Sequence, residues 1–98
     1  VEERAEEIIA SIQAENDRLL EKWQTEGYIP METGVLLYVK TTTGQPVVVS
    51  IQDGENDVYH IELLRNNDKF DRIVLDGKYD VPRERLASQI DAMLSILH

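Results

Sequence analysis

Between Val35 and Leu75 apolar side chains return at every second position. Val35, Leu37 and Val39, then Val47, Val49 and Ile51, then Tyr59, Ile61 and Leu63, then Ile73 and Leu75 all carry odd numbers. Successive side chains of a strand point to opposite faces, so this alternation predicts four strands sharing one buried face. The even positions differ: Leu36, Tyr38 and Lys40; Val48, Ser50 and Gln52; Val58, His60, Glu62 and Leu64; Phe70, Arg72 and Val74. That second face is too apolar for plain solvation and too polar for a core.

Turn-forming clusters separate the runs. Thr43-Gly44-Gln45-Pro46 suits a tight turn with Gly44 at positive φ, and Pro46 is tolerated as the first residue of the next strand. Asp53-Gly54-Glu55-Asn56 and Asn66-Asn67-Asp68 make the other two connections. The predicted strands run from Val35 to Thr42, Val47 to Gln52, Asp57 to Arg65 and Lys69 to Leu75. Connections this short require antiparallel neighbours and hence a meander.

Helical spacing flanks the strands. Ala5, Ile8, Ile9, Ile12, Leu19, Leu20 and Trp23 predict an amphipathic helix from Glu2 to Glu26, with Glu2, Glu3, Glu6 and Glu7 favoured by the positive end of its dipole. Gly27 suits the left-handed residue after a helix end, Pro30 stops continuation, and Tyr28 is expected to contact Trp23. The same residues also read as short heptads, with Asn16 in the seam position shared by Ile9 and Trp23. Ile29 to Thr33 reads as an extended connection. Asp76-Gly77 ends the last strand, Asp80 is placed to cap a second helix with Pro82 in its first turn, and Leu86, Ile90, Met93, Leu94 and Leu97 form that helix's stripe. The expectation is an α+β two-layer sandwich over residues 1–98: a four-stranded antiparallel meander with the N- and C-terminal helices together on the odd-numbered face, in the order α-β-β-β-β-α.

Composition narrows the function classes. A chain of 98 residues buries roughly 60–65% of its unfolded surface, enough for one modest core. Without cysteine, neither disulfides nor thiolate metal sites are available. No run is long and apolar enough to span a bilayer, and the acidic start is unlike a signal peptide, so the expected address is cytoplasmic. The chain opens on Val1 rather than Met, which is what processing or trimming of the start is expected to leave. Nineteen acidic against ten basic residues give a net charge of −9, a field that repels nucleic acid and anionic lipid alike. Six of the basic residues, Arg65, Lys69, Arg72, Lys78, Arg83 and Arg85, are interleaved with carboxylates, so no basic patch is expected.

Candidate chemistry is sparse. His60 and Glu62, at i and i+2, share a face, which is the minimum for general base work. Asp53-Gly54-Glu55-Asn56-Asp57 places carboxylates at alternate positions but lacks the spacing of a calcium loop, and two histidines without cysteine do not make a zinc set. No glycine-rich phosphate cradle exists. The expectation is therefore no catalytic residue, no metal and no cofactor.

The even face remains. Leu36, Tyr38, Val48, Val58, His60, Leu64, Phe70, Arg72 and Val74 are the candidate partner-binding residues, because monomers seldom leave a large contiguous apolar patch open. The expected function is a non-catalytic protein-binding module of adaptor, chaperone-like, immunity or inhibitor type, self-associating as a homodimer or holding another protein, including a basic one. The order of elements and the acidity resemble secretion-chaperone-type domains in outline. One alternative is an acidic nucleic-acid mimic that inhibits a basic DNA- or RNA-binding protein. Another is a small enzyme using His60 and Glu62.

Overall fold

The computed structural model describes residues 2–66, 69 and 71–97, so Phe70 lies outside the described residues. Five strands form one antiparallel sheet in chain order: β1 (Gly27–Met31), β2 (Gly34–Lys40), β3 (Pro46–Asp53), β4 (Val58–Asn66) and β5 (Arg72–Pro82). The N-terminal helix α1 (Glu2–Glu15) and a short α2 (Leu19–Lys22) precede the sheet. A 3-10 turn (Arg83–Arg85) and α3 (Leu86–Ile96) follow it.

The odd-numbered face lies beneath the helices, as the alternation requires. Val35, Leu37, Val39, Val47, Val49, Ile51, Tyr59, Ile61 and Leu63 share one buried cluster with Ala5, Ile8 and Ile12 of α1 and Leu86, Ile90, Met93 and Leu94 of α3. Each large side chain in such a cluster contributes about 1.5–3 kcal/mol relative to exposure.

The sheet has five strands where the alternation predicted four. Gly27–Met31, read as helix end and connection, pairs with β2 through a two-residue turn at Glu32 and Thr33, Ile29 lying opposite Leu36. Period-two reading missed it because Pro30 and the flanking glycine break the strand signal. At the other end, β5 runs on through Asp76-Gly77 to Pro82. Two register shifts absorb the extra residues: Leu75 is inserted opposite Leu63 and Leu64, and Tyr79 and Asp80 together face His60. Asp80 takes φ +56 there, a left-handed conformation that Asp accepts more readily than most residues. Gly77 is therefore not a turn residue. A Cβ on it would meet the Tyr79 hydroxyl at 2.8 Å, so the glycine leaves room for Tyr79 to lie across the sheet.

The helices also end elsewhere than predicted. Asn16 Oδ1 accepts the backbone N–H of Arg18 at 3.0 Å, a local turn that competes with helix continuation and separates α1 from α2. A continuous heptad seam is thereby lost. The left-handed residue after α2 is Gln24 (φ +52), not Gly27. Gln24 N–H donates to Glu21 O at 2.9 Å and Thr25 N–H to Leu20 O at 3.1 Å, the paired bonds of a Schellman cap. Asp80 does not cap α3, which begins only at Leu86. Its first amides are capped from across the molecule: Glu15 accepts Ala87 N–H at 3.1 Å and Ser88 N–H at 2.7 Å, placing a carboxylate at the positive end of the helix. Gly44, by contrast, takes φ +83, and Pro46 opens β3 as expected.

A second tie joins the helices. Trp23 is buried, and its Nε1–H donates to Asp91 Oδ1 of α3 at 3.0 Å while Lys22 Nζ lies 2.9 Å from the same carboxylate. Burial pushes the Asp91 carboxyl up, but the bonds from Trp23 and Lys22 and the Lys22 charge outweigh it and hold the group below its ordinary value. A folded-state value below the unfolded one stabilises the fold above the carboxylate range, and that stabilisation is lost as pH falls through it. Asp91→Ala, which strands the indole N–H, should lower stability at neutral pH by about 1–3 kcal/mol. Thermal denaturation followed from pH ~7 to ~2 should also show a shallower acid decline in Asp91→Asn than in the unsubstituted chain. Coincident pH profiles would contradict this role.

Candidate partner-binding face

The register defines the composition of the face turned away from the helices. One cross-strand row runs Ile29, Leu36, Ser50, Glu62, Gly77, and the next runs Tyr38, Val48, Leu64, Val74. Gln52 and His60 form a third row beside Gly34. A Cβ on Gly34 would collide with the Ile51 carbonyl oxygen, so glycine is what lets β2 approach β3 here.

Leu36, Val48 and Leu64 form a second apolar cluster, separate from the main core, with Met31 and Tyr38 packed against it. Among the described residues, none from a helix belongs to it. By sequence alone these three form an open patch; in the structure each is buried, and Met31 and Tyr38 are among the side chains packed against them. Three exposed apolar residues share their face, Ile29 at 46%, Val74 at 54% and Tyr79 at 58% exposure, while Tyr28 on the opposite face of β1 and Ile96 at the end of α3 are exposed elsewhere. A shallow groove of about 420 Å³ runs beside Tyr38 and Val48 towards Pro46 and Arg65.

Of the other expected site residues, Val58 is half-buried at the start of β4 opposite Pro82, and Arg72 is exposed at the start of β5 opposite Asn66. His60 and Glu62 share the face but hold different partners. Tyr79 Oη donates to Glu62 Oε2 at 3.1 Å. The Tyr79 ring stands 5.7 Å from the His60 ring at an interplanar angle of 53°. The Asp80 backbone N–H donates to His60 Nδ1 at 3.3 Å.

Tyr79 and Ile29 are the face residues that sequence reading missed. Lys78-Tyr79-Asp80-Val81 has no clean alternation, because the bulge at Asp80 shifts the phase. Only Tyr79 and Val81 favour a strand there, against Asp76, Gly77, Lys78 and Asp80, so the local signal was too weak to extend β5. Among the described residues no group of three His, Asp or Glu side chains is placed to hold a metal, and no helix is long and apolar enough to cross a membrane. No protein family, characterised protein or solved structure matches the chain.

The Glu62 carboxylate raises the Tyr79 phenol above its ordinary value, by hydrogen bonding first and by charge second, with a small contribution from burial. In an ultraviolet titration, the transition missing from Tyr79→Phe should lie above the ordinary phenol value of about 10. It should move down in Glu62→Gln. An unchanged Tyr79 transition in Glu62→Gln would show that the two groups do not interact.

Proposed function

We propose that this chain is a non-catalytic protein-binding module that engages its partner through the outer face of the sheet. The observation that carries this reading is the second apolar cluster, Leu36, Val48 and Leu64, lying outside the helix–sheet core and flanked by exposed Ile29, Val74 and Tyr79. Large apolar side chains grouped on one face mark interaction surfaces more often than they mark plain solvent boundary.

Two further features favour the face over the sheet edges. β1 is short and contains Pro30, which lacks an N–H, and β5 is bulged twice. Both devices discourage addition of another strand. The polar side chains on the face are also directed towards partners within the chain, which suits a surface that is buried on binding. The alternative of an acidic decoy would use the opposite layer, where Glu3, Glu6 and Glu7 of α1 are exposed.

The two readings separate in affinity capture from the native host with quantified recovery. Val74→Glu and Tyr79→Ser alter exposed side chains and should leave the fold intact, yet reduce recovery of a specific partner by about tenfold or more. Glu3→Lys with Glu6→Lys should leave recovery unchanged. The reverse pattern would assign binding to the acidic helix and remove the outer-face reading.

A further inference from the structure

We infer that the occupant of the outer face is a second copy of this chain, stacked sheet to sheet about a two-fold axis; the inference rests on the binding-module reading above. The first argument is the distribution of charge. Among the described residues the register places four formal charges on the face, Lys40 and Arg72 against Glu62 and Asp80, a net of zero, on a chain that carries −9. Lys40 stands at the end of β2, with its Nζ 2.9 Å from Glu26, and Arg72 stands at the start of β5. The centre of the face is left with one carboxylate.

The acidic excess lies elsewhere. Residues 2–26 hold eight acidic and three basic side chains, and α1 packs on the opposite side of the sheet. Face-to-face stacking puts two nearly neutral surfaces together and both acidic layers outside. Packed layers lie roughly 10 Å apart, so the two helix layers would be separated by roughly 30 Å, several times the screening length of about 8 Å at physiological salt. A basic partner would instead be drawn to α1, and the outer face offers it almost no countercharge.

The second argument is that the face is ready to be dried. Glu62 accepts the Tyr79 hydroxyl, His60 Nδ1 accepts the Asp80 N–H, and Gln52 Oε1 accepts the Thr33 hydroxyl at 2.7 Å. Ser50, between Leu36 and Glu62, is already buried. Covering His60, Gln52 and Ser50 strands few hydrogen bonds, while the Glu62 carboxylate, held by the Tyr79 hydroxyl, remains the costly group to cover. The third argument is area. Five strands about 4.8 Å apart and about seven residues long give a flat footprint of roughly 500–600 Å², before side-chain relief is counted. That approaches the roughly 800 Å² per partner of a stable interface. One self-complementary patch on each copy is what a two-fold dimer requires.

Sedimentation velocity on the whole chain, from about 1 to about 500 µM and at low and high salt, tests this. The expected result is a mass rising with concentration from 11.3 kDa to twice that value. Dimerisation should tighten as salt rises, because salt screens the repulsion between the acidic layers. Val74→Glu, with unchanged circular dichroism, should weaken the dimer by at least about tenfold, and Tyr79→Ser provides the same test should the first variant fold poorly. A wild-type monomer at every concentration overturns the inference, as does a dimer indifferent to both substitutions. A monomer that still loses a captured host protein on Val74→Glu overturns the second copy but leaves the binding-module reading standing. A monomer whose captured proteins are indifferent to the face removes both.

Discussion

The structure depends on one geometric constraint: adjacent side chains of a strand cannot share a face. Helices α1 and α3 cover one face of the sheet, and every buried odd-numbered residue of β2, β3 and β4 lies beneath them. Their even-numbered neighbours are thereby committed to the other side. Because those neighbours include Leu36, Val48 and Leu64, the chain cannot satisfy all its strand side chains with its own helices. The second cluster is the direct result.

Long-range ties fix which face is covered. Glu15 caps α3, and Asp91 of α3 receives Trp23 and Lys22. Both contacts join segments about seventy residues apart, so the helices are locked to each other as well as to the sheet. Arg4 adds a link from α1 to Asp53 at the end of β3, at 2.6 Å. The acidity of the N-terminal segment is compatible with this packing because the exposed carboxylates of α1 point away from the core, into water that screens them.

How far the sequence could be read follows from the range of each cause. The alternation of Val35 to Leu63 is local and two-periodic, and it located the covered face. Gly44 and Pro46 fixed a hairpin through their own backbone preferences. Elsewhere the deciding partner was distant or the period was broken. Glu15 caps a helix that begins 71 residues later, so Asp80, adjacent in sequence, was the natural but mistaken candidate. Tyr79 joins the outer face only because a residue is inserted at Asp80, and Gly77 looks like a turn until Tyr79 is seen lying across it. Ile29 sits on a strand that Pro30 disguises. The outer face was thus legible in its centre and illegible at its exposed rim.

The functional reading rests on the claim that the outer face carries none of the described helices and is open at Val74. The absence of cysteine makes single introduced thiols clean reporters, so the most direct measurement compares labelling rates of Val74→Cys and Val49→Cys in dilute and concentrated protein. In dilute protein the thiol at position 74 should react nearly as fast as a free thiol, and that at position 49 only as fast as the molecule unfolds. At high concentration the thiol at 74 should become protected. A thiol at 74 that is as slow as that at 49 in dilute solution would mean that the chain covers this face itself, and the account would be wrong.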